Sequence, residues 1–295
     1  MTDRPDLPLL VTGATGVLGR EVLRHARATG RPVRALTRRT APPADADTHW
    51  CTGDLTAGTG LDPAFTGADA VIHCASDPRH PKNDLPAFRH LLEAARRAGV
   101  RHVVNISIVG VDRIPLAYYR IKRQGEELLA ASGLGWTNLR ATQFPQLLDG
   151  MLRPLGRLPV LPMPSRTPVQ PVDPAEVAAR LVALALGDPV GHAPDLAGPE
   201  TRPATDLAAA WLRARGSRRP VLPVHLPGRA AACCARAPSP PRPRRRHPHL
   251  GRLPGRPALN RRPGERRAAT HRSPGPPAPL PAHRNAGAAA RAQSA

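Results

Sequence analysis

Aromatic residues make up only 3% of this 295-residue chain, so its core has to be built from leucine, valine, isoleucine and alanine. Long apolar runs are also missing: none approaches the roughly 20 residues of a membrane-spanning helix, and the first predicted strand begins too early for a secretion signal. The four cysteines, Cys51, Cys74, Cys233 and Cys234, lack metal-ligand spacing. We therefore expect a cytoplasmic protein with no membrane partner, no structural disulfide and no metal site.

Lysine is almost absent, because Lys82 and Lys122 stand against 41 arginines, and the formal net charge is +21. The positive charge is unevenly placed. The segment from Ala231 to the end holds fourteen arginines and a single acidic residue, Glu265. That segment carries +13, and the first 230 residues carry +8. The charge of the main part favours an anionic ligand but does not demand nucleic acid.

The segment at residues 231–295 predicts a disordered basic tail, because it is rich in proline and arginine and has no hydrophobic period. Its arginine-rich, lysine-poor composition indicates GC-rich coding DNA, which encodes such residues when read out of frame. We interpret the tail from about residue 232 as out-of-frame translation. The alternatives are an inert tail and an arm that binds nucleic acid by counterion release. The nucleic-acid arm is the least favoured, because no aromatic residues interleave the arginines for base stacking.

Strand-length apolar runs alternate with helical patterns through about residue 215. The predicted strands lie at residues 7–11, 33–37, 48–51, 70–74, 102–106 and 136–140. The predicted helices lie at residues 17–29, 84–98, 117–132, 174–186 and 204–215. This alternation predicts an α/β fold with a Rossmann-type, doubly wound parallel sheet that is covered on both faces.

The most informative motif joins the first strand to the first helix. Gly13 allows a tight turn, Gly16 lets a pyrophosphate approach the backbone, and Gly19 lets the helix pack close to the strand. The phosphates would lie on the unpaired N–H groups at the helix N-terminus. We therefore expect a dinucleotide-binding core at residues 1–150 and a small substrate-side lid at residues 151–230. The candidate cofactor contacts in the turn are Gly13, Thr15, Gly16, Val17, Leu18 and Gly19.

Later strand ends supply further candidate cofactor contacts. Arg38 and Arg39 follow the second strand, where an NAD site usually has a carboxylate, and they favour the 2′-phosphate of NADP(H) over NAD(H). The alternative is a solvated pair of surface charges. Asp54, which precedes Leu55 after the third strand, is either an acceptor for the adenine amino group or a turn cap. The fourth strand ends in small residues that let the chain pass close to the cofactor: Cys74, Ala75 and Ser76.

Three residues form a candidate catalytic group. Ser107 ends the fifth strand, and Tyr118 and Lys122 follow on one face of the next predicted helix. A lysine ammonium stabilises a neighbouring phenolate, which makes a phenol a useful proton donor or acceptor. The serine hydroxyl could orient a substrate carbonyl. A tyrosine and a lysine four residues apart are common on helix surfaces, but their place after the fifth strand favours catalysis.

Together these motifs resemble the short-chain dehydrogenase/reductase superfamily, in its atypical NmrA-like branch of NAD(P)H-binding proteins. The resemblance covers roughly residues 7–228. It implies that Ser107, Tyr118 and Lys122 serve carbonyl or alcohol redox chemistry and that Lys122 also holds the nicotinamide ribose. The spacing from Ser107 to Tyr118 is shorter than in most members. The resemblance also implies that three residues after the sixth strand flank the nicotinamide: Thr142, Gln143 and Phe144.

Two functions of different classes follow. The first is an NADPH-dependent oxidoreductase that acts on a small carbonyl or quinone-like substrate, with Tyr118 supplying the proton. The alternative is a regulatory protein that senses NADP(H) by binding it without turnover, as some atypical members of the superfamily do. Consumption of NADPH across a panel of carbonyls and quinones distinguishes the two.

Overall fold

The structure is a computed structural model that describes residues 7–40, 47–77, 80–165 and 167–225. The expected basic tail at residues 231–295 lies outside the described residues. Within the described ranges, no helix is long and apolar enough to cross a membrane.

Strands and helices alternate along the described chain. The strands are β1 (Leu9–Thr12), β2 (Val33–Thr37), β3 (His49–Thr52), β4 (Ala70–His73), β5 (His102–Ile108), β6 (Trp136–Ala141), β7 (Leu161–Pro164), β8 (Pro168–Val169), β9 (Gly191–His192), β10 (Arg202–Pro203) and β11 (Val221–Val224). The helices are α1 (Val17–Arg27), α2 (Asp62–Phe65), α3 (Asp84–Arg97), α4 (Ala117–Ala130), α5 (Pro145–Leu155), α6 (Pro174–Leu186) and α7 (Ala204–Ala214).

The central sheet has seven parallel strands in the order β3-β2-β1-β4-β5-β6-β9. The order reverses at β1, where Leu9 pairs with Val33 on one side and with Ala70 on the other. All four residues of β1 are buried, as expected for a strand that is covered on both faces. The sheet therefore has the Rossmann-type, doubly wound topology that the alternation of strands and helices predicts.

Helices cover both faces of this sheet. Helix α1 packs with α6 on one face, and α2, α3 and α4 lie on the other. Helix α6 was expected to belong to the lid but lies on the sheet instead. The reason is its apolar stripe, in which Val177, Leu181 and Val182 are buried in the same core as Val22 of α1. Asp173 caps this helix by accepting a hydrogen bond from the backbone N–H of Ala175 at 2.9 Å.

A second, smaller layer contains α5, α7 and two short sheets. Strand β7 pairs with β11, and β8 pairs with β10. The core of this layer consists of Leu152, Leu161, Ala208 and Leu212. The Trp211 indole N–H of α7 donates to Asp149 of α5 at 2.8 Å and joins the two helices. These elements lie outside the central sheet, and their expected role as a lid stays a prediction.

An ion-pair cluster closes the amino edge of the central sheet. Asp69, which directly precedes β4, accepts hydrogen bonds from Arg31 at 3.0 Å and from Arg101 at 2.9 and 3.1 Å. Burial opposes ionisation of this carboxyl, but the two guanidinium groups outweigh it and hold its pKa below the ordinary value. The cluster fixes the loops that lead into β2, β4 and β5.

Candidate functional site

The glycine turn after β1 has the geometry of a phosphate cradle. Gly13 has a φ of +68°, and a Cβ at this position would lie 2.6 Å from the backbone N of Ala75. A Cβ on Gly16 would lie 3.1 Å from the Gly13 carbonyl oxygen, and one on Gly19 would overlap the same atom. No side chain caps α1, and its first turn has no acidic residue. The turn therefore fits a pyrophosphate bound on the exposed N–H groups at the start of α1.

A cleft of about 260 Å³ opens beside this turn, at the carboxyl ends of β1, β2 and β4. It lies where the strand order reverses, which is the ligand site of doubly wound sheets. Nine of the sequence-predicted cofactor residues line it: Gly13, Thr15, Gly16, Arg38, Asp54, Leu55, Cys74, Ala75 and Ser76. Val17, Leu18 and Gly19 lie in the first turn of α1 next to the cleft, where Val17 is exposed and the other two are buried.

The two arginines after β2 differ in position. Arg38 lines the cleft, whereas Arg39 does not and is held by its backbone. The Arg39 N–H donates to Thr37 Oγ1 at 3.2 Å, and Thr52 Oγ1 donates to the Arg39 carbonyl at 3.4 Å. A phosphate in this part of the cleft would therefore face Arg38 first.

Asp54 makes a local turn contact and also faces the cleft. Its Oδ1 accepts a hydrogen bond from the backbone N–H of Thr56 at 2.7 Å. The residue lines the cleft together with Leu55 and Thr56. The turn contact is therefore present, and the contact with adenine stays a prediction.

A polar cluster lies at the other end of the cleft. Ser76 Oγ lies 2.8 Å from the Tyr118 hydroxyl and donates to Asp84 Oδ2 at 2.7 Å. Asp84 Oδ2 also lies 3.4 Å from Lys122 Nζ, and this ammonium lies 5.6 Å from the centre of the Tyr118 ring. Tyr118 and Lys122 thus share one face of α4, as their spacing predicts, and they face the loop after β4.

Ser107 does not join this cluster. Its Oγ is buried and has no hydrogen-bond partner among the described residues. It faces Glu126 of α4 without good hydrogen-bond geometry, though it still helps to lower the pKa of that carboxyl. Glu126 lies two helical turns, about 12 Å, beyond Tyr118. Ser107 therefore lies beside the part of α4 that holds Glu126, two turns away from Tyr118. The hydroxyl that contacts Tyr118 is that of Ser76.

Arg140 dominates the surroundings of Glu126. Burial opposes ionisation of Glu126, but Arg140 donates two hydrogen bonds to it, at 3.0 and 2.6 Å, and lowers its pKa. Beside this pair, Asn105 donates to Asn138 at 2.7 Å. These contacts tie β5, β6 and α4 together and indicate a structural role for the polar residues around Ser107.

Two titratable side chains near Lys122, His73 and Cys74, are uncharged at neutral pH. His73 is buried, stacks on Phe88 with ring centres 4.7 Å apart, and shares a 2.8 Å hydrogen bond with Thr12. Burial, helped by the positive charge of Lys122, lowers the pKa of His73 to about 3. Burial raises the pKa of the Cys74 thiol to about 12, against the opposing effect of Lys122. At neutral pH, neither side chain balances the Lys122 charge.

The segment after β6 is fixed by its backbone. The Thr142 N–H donates to the Leu196 carbonyl at 3.0 Å, and the Gln143 carbonyl accepts from the Val172 N–H at 3.0 Å. Phe144 precedes α5 and is half-buried against the core. These three residues do not line the cleft beside Gly13.

Asp84 is the main site residue that the sequence pattern did not single out. It begins α3, where an acidic residue is ordinarily explained as stabilising the helix N-terminus. It lines the cleft together with Asn83 and Thr56. One feature of the sequence could have indicated it: Asp84 is the first residue of α3, the helix that follows β4, and β4 lies next to β1 where the strand order reverses.

Comparisons with known proteins agree with this geometry. A family model described as NAD(P)H-binding matches residues 13–185, which is more than half of the chain. The (4-alkanoyl-5-oxo-2,5-dihydrofuran-3-yl)methyl phosphate reductase of Streptomyces griseus is 34% identical over 223 residues, covering 70% of this chain and 74% of that protein. An uncharacterized Mycobacterium tuberculosis protein is 29% identical over 223 residues, but the chain spans only 24% of its length.

Solved structures show the same fold. A nucleoside-diphosphate-sugar epimerase from Staphylococcus aureus superposes with a TM-score of 0.65 at 21% identity, over 78% of this chain and 91% of that one. An NADPH-dependent quinone oxidoreductase from Escherichia coli, complexed with NADPH, gives a TM-score of 0.63 at 22% identity, over 77% and 86%. The chain therefore belongs to the NAD(P)H-binding family.

Proposed function

We propose that this protein is an NADPH-dependent oxidoreductase that reduces a small carbonyl or quinone-like substrate. The observation that carries the proposal is that Tyr118 and Lys122 contact Ser76 and Asp84, which line the cleft beside the glycine turn. The relative from Streptomyces griseus, a reductase by name, supports the same reaction class.

In this proposal, separate groups of residues hold the parts of the cofactor. The turn at Gly13 and Gly16 would hold the pyrophosphate, and Arg38 would face a 2′-phosphate, with Arg39 assisting from the rim. Asp54 would accept from the adenine amino group. Lys122 would hold the nicotinamide ribose. When bound, the reduced nicotinamide supplies a hydride to the substrate.

Tyr118 has the role of proton donor. Its O–H bond breaks as the proton moves to the substrate oxygen, so that a carbonyl becomes an alcohol. The ammonium of Lys122, near the ring of Tyr118, stabilises the phenolate that remains. Ser107, which the sequence nominates for orienting the carbonyl, does not reach Tyr118, and the hydroxyl that contacts Tyr118 is that of Ser76.

Exposed apolar side chains favour an apolar substrate. Leu116 precedes α4, while Leu147 and Met151 lie one turn apart on α5, and all three are exposed. Both helices follow strands of the central sheet, so they begin at its carboxyl edge, the edge that holds the cleft. An aromatic or quinone-like ring would find apolar surface there.

The test is turnover with NADPH on a panel of carbonyls and quinones. Tyr118→Phe should reduce turnover about 100-fold, because general acid catalysis is lost, while the Kd for NADPH stays within about twofold. Tyr119→Phe, one residue along the same helix, is the matched control and should keep full turnover. Unchanged turnover in Tyr118→Phe would contradict the mechanism.

Cofactor preference is tested separately. Arg38→Ala should weaken NADPH binding about 10- to 100-fold, the loss of one or two charge-assisted hydrogen bonds, and leave NADH binding unchanged. Arg39→Ala should have the smaller effect, since Arg39 does not line the cleft. Equal dissociation constants for NADPH and NADH, unchanged in the double variant, would remove the assignment.

A cofactor-sensing regulator that binds NADP(H) without turnover is the second candidate. The contact between Tyr118 and Ser76 favours it, because it occupies the hydroxyl that would otherwise meet a substrate. Tight NADPH binding together with no NADPH consumption on any member of the panel would decide for this candidate.

A further inference from the structure

The carboxylate of Asp84 lies beside the proposed proton donor, and the mechanism above does not use it. Its side chain is only 12% exposed. One oxygen accepts from Ser76 and faces Lys122, and the other accepts from the backbone N–H of Asp77 at 2.9 Å. It therefore connects the loop after β4 with both predicted catalytic residues of α4.

The hydrogen bonds in this cluster have a defined direction. A carboxylate can only accept, so the single hydrogen of the Ser76 hydroxyl is given to Asp84. Ser76 Oγ can then only accept from Tyr118, which must donate its own hydrogen. The chain runs from the Tyr118 O–H through the Ser76 O–H to the Asp84 carboxylate. This direction requires a protonated phenol.

Two opposite charges lie near the Tyr118 phenol. Lys122 approaches Tyr118 from one helical turn along α4, and Asp84 approaches from α3. His73 and Cys74 are neutral at ordinary pH, and the Asp77 carboxylate pairs with His80 at 3.0 Å. Asp84 is thus the carboxylate that pairs with Lys122 and moderates its effect on the phenol.

We infer that Asp84 is a positioning residue, which orients the Tyr118 hydroxyl through Ser76 and holds Lys122 beside the Tyr118 ring. Its catalytic consequence rests on the proposed function. Asp84 keeps the proton donor in place between turnovers, and Ser76 is the hydroxyl through which it acts.

The test uses the two tyrosines of the chain, Tyr118 and Tyr119. In a full-length Tyr119→Phe background, the ultraviolet absorbance of tyrosinate reports Tyr118 alone. Adding Asp84→Asn should lower the pH midpoint of that absorbance by about 1 unit, the order of magnitude for removing a unit charge one hydrogen-bonded residue away. With substrate, the same change should shift the pH–rate profile to lower pH.

Asp62→Asn is the matched control. Asp62 also begins a helix, and it also pairs with a cation, Arg97 at 2.7 Å, but it is exposed and does not line the cleft. It should leave the midpoint unchanged. An Asp84→Asn midpoint equal to that of Asp62→Asn overturns the inference. If Asp84→Asn does not fold, as judged by circular dichroism, Ser76→Ala decides, because it breaks the same chain and should also lower the midpoint.

The titration needs neither cofactor nor substrate, so its outcome is independent of the proposed function. Full turnover in Tyr118→Phe with a shifted midpoint in Asp84→Asn refutes the mechanism and keeps the Asp84 contact network. Lost turnover in Tyr118→Phe with an unchanged midpoint in Asp84→Asn supports the mechanism and refutes the role of Asp84.

Discussion

Two aspartates flank β4, and their surroundings differ in kind. Asp69 precedes the strand, is 2% exposed at its side chain and accepts from two guanidinium groups. Asp84 follows the strand and its loop, lines an open cleft and meets a hydroxyl, a backbone N–H and an ammonium. At the amino edge the carboxylate is held by groups with permanent charge, whereas at the carboxyl edge its side-chain partners include a hydroxyl that can rotate.

The difference shows how one sheet separates stability from chemistry. Guanidinium groups stay charged at any accessible pH, so the arginines of the Asp69 cluster have a structural role that does not depend on their own titration. The side chains of Ser76, Tyr118 and Lys122 can rotate and exchange hydrogen-bond partners, so the Asp84 cluster can respond to a ligand. The predictions below test this separation.

The largest effect is expected at the amino edge. Asp69→Ala should lower the free energy of unfolding by about 3 kcal/mol, because it leaves two arginines without their buried partner. Chemical denaturation followed by circular dichroism measures this loss. The Kd for NADPH of the folded fraction should not change. A loss below about 1 kcal/mol would place Asp69 among ordinary surface ion pairs.

Two glycines with positive φ allow a matched test of the carboxyl edge. Gly13→Ala should weaken NADPH binding at least about 100-fold, or about 2.7 kcal/mol, because the new Cβ would lie 2.6 Å from Ala75 N. Gly30, with a φ of +76° in the loop before β2, has no atom within 4 Å of such a Cβ. Gly30→Ala should cost only the backbone strain of about 1–2 kcal/mol and retain binding. Similar NADPH affinities in the two variants would contradict the cradle.

Asp84→Asn should show most clearly that the carboxyl edge affects ligand binding more than stability. It should change the free energy of unfolding by less than about 1 kcal/mol, because the amide can keep the hydrogen bond from Ser76. It should also tighten NADPH binding a few-fold, since a negative charge leaves a cleft that receives phosphates. Thermal unfolding and fluorescence titration measure the two quantities. A destabilisation as large as that of Asp69→Ala would mean that Asp84, like Asp69, mainly stabilises the fold.

The smallest effect concerns acid stability. The pKa of Asp69 is lowered in the folded state, so its contribution is complete above the unfolded value near 4 and is lost as pH falls through the folded value. The stability difference between the wild type and Asp69→Asn should therefore shrink by about 1 kcal/mol or more from pH 6 to pH 3. A difference that does not depend on pH would show that the carboxyl is not shifted.

The sequence was sufficient for features that depend on local pattern. The strand at Val33–Thr37 and the helix at Pro174–Leu186 were predicted with the bounds that the structure has, because apolar runs and the Asp-Pro helix start are local signals. The glycine turn was predictable for the same reason. Helix α5 was missed, since its apolar residues lie between prolines at both ends.

The partners at the site could not be predicted in this way. Ser76 and Tyr118 are 42 residues apart, and their contact depends on how the loop after β4 approaches α4. Ser107 was an attractive candidate because it ends β5 shortly before Tyr118. The position of Ser107 relative to α4 depends on the alternation of side chains along β5 and on the length of the connection to α4. These place Ser107 beside Glu126 and not beside Tyr118. Such distances appear only in three dimensions.

The cysteine beside the cleft has a consequence for chemical damage. Quinones alkylate thiolates, and a cofactor site that handled them with a reactive cysteine would inactivate itself. Burial raises the pKa of Cys74 to about 12, so its sulfur stays a protonated, poorly nucleophilic thiol at neutral pH. The protein thereby keeps a small, polarisable side chain against its cofactor cleft that resists alkylation and oxidation.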